Sequence, residues 1–140
     1  MLIPNRVWTS LKDNSVAASG TEDSLLTAMQ RKWLMYRHVF LYKVAPGADL
    51  QKITETLNGL PAQIPGIRNW TLGRHRPAPG SAGGRWDYGL VCDFDSFEAL
   101  QTYNNHPSHL EVVRTLMPLL AANAVCDFEF EPTQVRPRGI

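Results

Sequence analysis

The segment Tyr103-Asn104-Asn105-His106-Pro107-Ser108-His109 brings one phenol and two imidazoles within seven residues, around a proline. Imidazoles exchange protons near neutral pH, and a phenol can donate a hydrogen bond to a developing oxyanion. Together they hold the parts for general acid–base chemistry beside a carbonyl group. The same string also reads as a helix start. Pro107 breaks one helix, and Ser108 with Glu111 forms an S-x-x-E capping box for the next. With Ser108 as N-cap, His109 falls in the first helical turn. The helix dipole and burial both favour a neutral ring there, the form a base requires. Asp127 is the candidate to orient that ring. Tyr103 is the candidate oxyanion donor, or a core tyrosine whose hydroxyl finds a backbone partner. His38 would line a pocket, or be a satisfied core histidine. His106 is read as structural, holding the turn before Pro107. His106 and His109 also stand at H-x-x-H spacing, but two imidazoles are too few for a zinc site. No G-x-G-x-x-G, P-loop or G-x-S-x-G motif is present. The expected chemistry therefore uses no metal and no cofactor.

The elements that must place these groups can be read along the chain. Tyr36 to Val44 is β-branched and aromatic and predicts a strand, with His38, Phe40, Tyr42 and Val44 on one face. A helix capped by Asp49 follows, with Leu50, Ile53, Leu57 and Leu60 as its stripe, stopped by Gly59 and Pro61. Ile67 to Gly73 predicts a second strand, and 76–87 a Pro/Gly loop. Tyr88 to Phe94 is a third strand. A helix capped by Asp95 or Ser96 then runs through Tyr103, with Phe97 and Leu100 inward. Pro118 ends the following helix, and Ala124 to Phe130 is the last strand.

The order β-α-β-β-α-β is the ferredoxin-like split motif, an α+β fold with a four-stranded antiparallel sheet and helices on one side. Phe40, Tyr42, Leu90 and Val125 are assigned to the sheet's second face. An apolar face of that size needs a cover, and a second copy closing a dimeric α/β barrel supplies one. The domain is placed at 35–131 and a frayed basic tail at 132–140. Residues 1–34 form an extension, read either as a short helix starting near Asp23, with Leu25, Leu26, Met29 and Trp33 as its stripe, or as a poorly ordered segment.

A formal net charge of +1 gives no electrostatic reason to expect nucleic acid or an anionic membrane as partner. Cys92 and Cys126 form no CxxC pair and lie in apolar runs, which predicts two buried thiols. No apolar run reaches membrane-span length, and the N-terminus lacks a signal-peptide pattern. A cytoplasmic location is the default expectation.

These pieces resemble the stress-responsive dimeric α/β-barrel family. The resemblance is carried by Arg37-His38-Val39-Phe40-Leu41-Tyr42-Lys43, Ile64-Pro65-Gly66-Ile67 and Leu72-Gly73-Arg74. It continues in Phe94-Asp95-Ser96-Phe97-Glu98-Ala99-Leu100, the Tyr103–His109 string, and Val125-Cys126-Asp127-Phe128. Many members of that family have no assigned activity, while plant members include a polyketide cyclase and a hydroxynitrile lyase. The cyclase's catalytic tyrosine and histidine fall on Tyr103 and His109, its strand-one histidine on His38 and its last-strand aspartate on Asp127. The resemblance implies a homodimer and a cofactor-independent lyase or cyclase acting on a small carbonyl compound. His109, Tyr103 and Asp127 would be catalytic, and His38, Phe40, Tyr42, Leu90 and Val125 would shape the pocket. The alternative is a non-catalytic dimer serving in stress tolerance or binding a small hydrophobic ligand. Monooxygenases of related barrels are a third class, against which the His-Pro-x-His string argues.

Overall fold

The computed structural model describes residues 33–81 and 84–132. The elements run β1 (Met35–Val44), α1 (Leu50–Asn58), α2 (Leu60–Gln63), β2 (Arg68–Arg74), β3 (Tyr88–Phe94), α3 (Phe97–Asn105), α4 (Pro107–Leu116), a 3-10 turn (Met117–Leu119) and β4 (Leu120–Phe130). The sheet order is β2-β3-β1-β4, with every neighbouring pair antiparallel. This is the ferredoxin-like arrangement, with the chemically rich β1 at the centre of the sheet. The predicted helix near Asp23 and most of the tail lie outside the described residues.

Local chemistry sets the helix ends. Asp49 caps α1 by accepting from the Lys52 amide at 3.1 Å. Ser96 caps α3 by accepting from the Ala99 amide at 3.1 Å. Each side chain satisfies an amide that the first helical turn leaves without a partner. Two expectations are corrected here. Pro61 does not stop the first helix but sits in the opening turn of the short α2, where a missing N–H costs nothing. The cap of α4 is His106, whose Nδ1 accepts from the Ser108 amide at 3.1 Å. Pro107 takes the first helical position, so Ser108 already lies inside the helix and builds no capping box.

The core forms where the period-two face of the sheet meets the helical stripes. Phe40, Tyr42, Leu90, Cys92 and Phe94 pack against Ile53, Leu57, Leu60, Leu100, Val112 and Leu116. The two sheet faces are thus the reverse of the expectation. Phe40, Tyr42 and Leu90 are buried beneath the helices, and Val125, half-buried, packs against the same core. The open face carries half-buried Val39, Leu41 and Val91 with exposed Cys126 and Phe128. Register gives the reason: Val39 pairs with Val91 and with Cys126, which puts all three on the face away from the helices. Cys126 is accordingly exposed, whereas Cys92 is buried as predicted. Leu50 and Phe97, predicted to point inward, are also exposed. Phe97 instead lies against Tyr36, ring centroids 5.6 Å apart.

One charged group on the open face is buried even so. Asp93 is 1% exposed and accepts from Arg37 Nε at 2.7 Å, Arg37 Nη2 at 3.0 Å and Asn69 Nδ2 at 3.0 Å. Burial opposes its ionisation, but the Arg37 and Asn69 hydrogen bonds and the guanidinium charge outweigh it and hold the carboxyl below its usual range. Asn69 reaches the carboxylate from a left-handed backbone position, φ 53°, inside the irregular stretch of β2.

Phe94 is fully enclosed. Phe94→Ala is expected to cost about 3–5 kcal/mol of unfolding free energy in denaturant titration, by lost transfer energy and an unfilled cavity.

Candidate active site

His38, Tyr103 and His109 come from three elements and meet beneath the helices. Strand alternation puts His38 on the inner face beside Phe40, opposite Cys92 on β3 and Asp127 on β4. On α3, Tyr103 follows Leu100 at helical spacing, and both are buried. On α4, His109, Val112 and Leu116 form one buried stripe. The Tyr103 ring lies between the imidazoles, 4.4 Å from His109 and 5.5 Å from His38 by ring centroids. Phe94 backs it at 5.1 Å.

All three side chains line one cavity of about 10 Å³. That is room for about one water molecule. Its remaining walls are apolar: Phe40, Leu60, Leu90 and Leu116, with the half-buried Val113 and Met117 on the α4 side. Of the predicted pocket residues, His38, Phe40 and Leu90 line this space; Tyr42 and Val125 do not. Tyr42 lies further along β1, stacked on Tyr88 at 5.2 Å with the rings 7° from parallel. Leu57 and Leu60 were already legible as the apolar stripe of the first helix, but nothing in the sequence showed that they, with Val113 and Met117, wall this cavity. Val112 and Leu116 could have been found from their helical spacing to His109.

Asp127 does not orient His109. Its Oδ1 lies 2.6 Å from Nδ1 of His38, its cross-strand neighbour. The carboxylate accepts, so Nδ1 carries the proton and the neutral ring's lone pair is on Nε2. His109 is held instead by the Asn104 carbonyl, 3.0 Å from its Nδ1. A carbonyl can only accept, so this ring is the same tautomer.

The electrostatics differ around each group. Burial pushes His109 down to about 4; His38 and His106 add to that, while the Asn104 carbonyl and Asp127 oppose it. Its imidazole is therefore neutral at physiological pH. Burial, with Cys92 and Asp127 nearby, pushes the Tyr103 phenol far up, so it remains a donor. Cys92 is pushed up to about 12 by burial and by Asp93 and Asp127, and stays a thiol. The site thus gathers a phenol donor and two imidazoles against apolar walls. Among the described residues, no group of three or more His, Cys, Asp or Glu side chains is placed to hold a metal ion.

Comparisons with known proteins agree with this frame. A dimeric ferredoxin-like protein of unknown function from Thermobifida fusca is 26% identical, with a TM-score of 0.59 over 69% of this chain and 92% of its own. A second dimeric protein of that fold and of unknown function, from Bacteroides fragilis, is 25% identical, with a TM-score of 0.52 over 69% and 96%. The hydroxynitrile lyase of Passiflora edulis shares the fold at 16% identity, with a TM-score of 0.64 over 72% and 97%. No curated protein sequence matches. The model of the stress responsive A/B barrel domain matches residues 36–130, from the strand that carries His38 to the end of the strand that carries Asp127. The protein therefore belongs to the stress-responsive A/B barrel domain family.

Proposed function

We propose that this protein is a homodimeric, cofactor-independent lyase or cyclase that moves a proton next to the carbonyl of a small apolar compound. The observation that carries the reading is the convergence of His38, Tyr103 and His109 on one apolar cavity. Burying two imidazoles and a phenol carries a desolvation cost that must be offset by partners inside the protein, where apolar side chains would fill the same space without it. In the proposed step a C–H bond beside the carbonyl breaks, an imidazole Nε2 takes the proton, and the electron pair becomes an enolate. The Tyr103 hydroxyl donates to the enolate oxygen. The low dielectric strengthens that hydrogen bond, because the phenol need not reorganise as charge develops.

The second reading is a non-catalytic dimer, and the cavity's small volume favours it. A substrate larger than one water enters only if Val113 and Met117 swing outward. Both are half-buried, and Met has three rotatable bonds, so this wall is the softest. The test is a panel of cyanohydrins and 1,3-dicarbonyl compounds, assayed for turnover by the wild type and by Tyr103→Phe. The enzyme reading expects turnover that Tyr103→Phe lowers about 10²–10³-fold with the fold intact. No turnover of any compound, with none bound, would leave the dimer reading.

A neutral His109 also predicts the acid stability. Its ordinary value is 6.5 and its folded value about 4. The unfolded chain thus binds a proton that the native state refuses. Stability is whole above about pH 6.5 and falls as pH drops towards 4. His109→Gln is expected to flatten that limb in denaturant melts collected across this range.

The homodimer is supported by the half-buried apolar residues of the open sheet face and by the dimeric neighbours. Leu41→Lys, at the centre of that face, is expected to shift the protein to monomer in sedimentation equilibrium while leaving the core packed.

A further inference from the structure

We propose that Tyr42 and Asn123 form a hydroxyl-reading pair at the far end of this site, so that the compound taken up carries an alcohol group opposite its carbonyl. The proposal rests on the reading of the His38–Tyr103–His109 cavity as a carbonyl site, and it names the class of compound that site accepts. Tyr42 is fully buried, and Asn123 is its cross-strand partner on the inner face. Tyr42 Oη and Asn123 Oδ1 are both buried and have no hydrogen-bond partner among the described residues. Such atoms are rare in native proteins, because each forfeits the bonds that water would have made. Two of them at paired positions mark a place that a polar group from outside the chain can complete.

The pair is held in place against the cavity wall. The Tyr42 ring lies 5.2 Å from Tyr88 and 5.4 Å from Phe40 by centroids, so it cannot turn its hydroxyl towards another partner. Asn123 donates its Nδ2–H to Met117 Sδ at 3.6 Å, a weak bond because a thioether is a poor acceptor. Phe40 and Met117 are both wall residues of the cavity. Each unpartnered atom therefore lies one side chain beyond it. When Met117 swings outward, as any compound larger than one water requires, the amide gives up only that weak bond and the cavity extends to Asn123.

Strand geometry sets the length of the compound, and the two atoms set its chemistry. Along the inner face His38 pairs with Asp127, Phe40 with Val125 and Tyr42 with Asn123. From His38 to Tyr42 the strand rises about 13 Å, at ~3.4 Å per residue, with an apolar pair between the two polar ones. Asn123 Oδ1 can only accept, so the group that meets it must donate. Burial and the neighbouring Tyr88 push the Tyr42 phenol up, so it keeps its proton and can donate in turn. The incoming group must therefore both donate and accept, as an alcohol does. A carboxylate would have no proton for Oδ1 and would lose its hydration among aromatic rings.

Calorimetric titration of the full chain with decan-2-one, 10-hydroxydecan-2-one and 6-hydroxydecan-2-one tests the pair. The wild type is expected to bind the 10-hydroxy ketone about tenfold more tightly than decan-2-one, the worth of one hydrogen bond to a buried atom that otherwise has none. The 6-hydroxy isomer places its alcohol against Phe40 and Val125 and is expected to bind more weakly than decan-2-one. Tyr42→Phe and Asn123→Leu are each expected to bring the tenfold ratio towards unity. Tyr42→Phe removes an unpartnered oxygen and nothing else, so its melting temperature should not fall, whereas a structural hydroxyl would lower it. If one variant does not fold, the other carries the ratio. Equal binding of decan-2-one and its 10-hydroxy derivative by the wild type would overturn the proposal and leave the carbonyl site standing. A tenfold ratio that survives both substitutions would overturn it as well. Failure of all three ketones to bind would defeat the carbonyl-site reading itself, and this proposal with it.

Discussion

The cost of placing polar rings in a dry core governs this structure. His38, Tyr103 and His109 are each less than 5% exposed. Each must find a partner within the protein or forfeit the energy that water would have supplied. The fold meets this demand from three directions: Asp127 across the sheet, the Asn104 carbonyl at the end of α3, and the aromatic faces of the three rings themselves. These partners also bring the two imidazoles and the phenol to one cavity.

The frame around that cluster is the antiparallel sheet with β1 at its centre. A central strand is held on both edges, so its side-chain positions are well defined by backbone pairing. That precision matters because the His38–Asp127 contact depends on register. The two residues are cross-strand partners, and a one-residue slip of β4 would send the carboxylate to the open face. The α3–α4 junction does the same for the other imidazole. Pro107 starts α4 immediately after α3 ends, and the tight turn brings His109 back over Asn104, five residues earlier.

The open face of the sheet is built differently. Its one buried charge, Asp93, is tied down by Arg37 and Asn69, and the Arg37 guanidinium lies 4.3 Å from the centre of the Phe130 ring. Beside this network runs a stripe of half-buried aliphatic side chains. The two faces thus separate two tasks. The inner face lines the cavity, and the outer face carries an apolar stripe beside an already paired charge.

The order of elements, and their extents within a residue or two at most ends, were legible in the sequence, because period-two and helical spacing report burial directly; the family was legible only through the resemblance carried by strings such as Tyr103–His109. So were the residues of the site: each polar ring that lines the cavity was already singled out. What the sequence left open was pairing and sidedness. Alternation tells which residues of a strand share a face but not which face the helices cover, and that choice depends on how α1, α3 and α4 pack. For the same reason the exposure of Cys126 and the burial of Phe40, Tyr42 and Leu90 had to come from the tertiary structure. Asp127 was marked as an orienter, but its partner follows from the β1–β4 register, which no local pattern encodes. The cap of α4 passed from Ser108 to His106 because Pro107 could open the helix one residue earlier. Residue types and their spacing thus marked which polar groups were candidates for a site, and three-dimensional packing decided which of them touch.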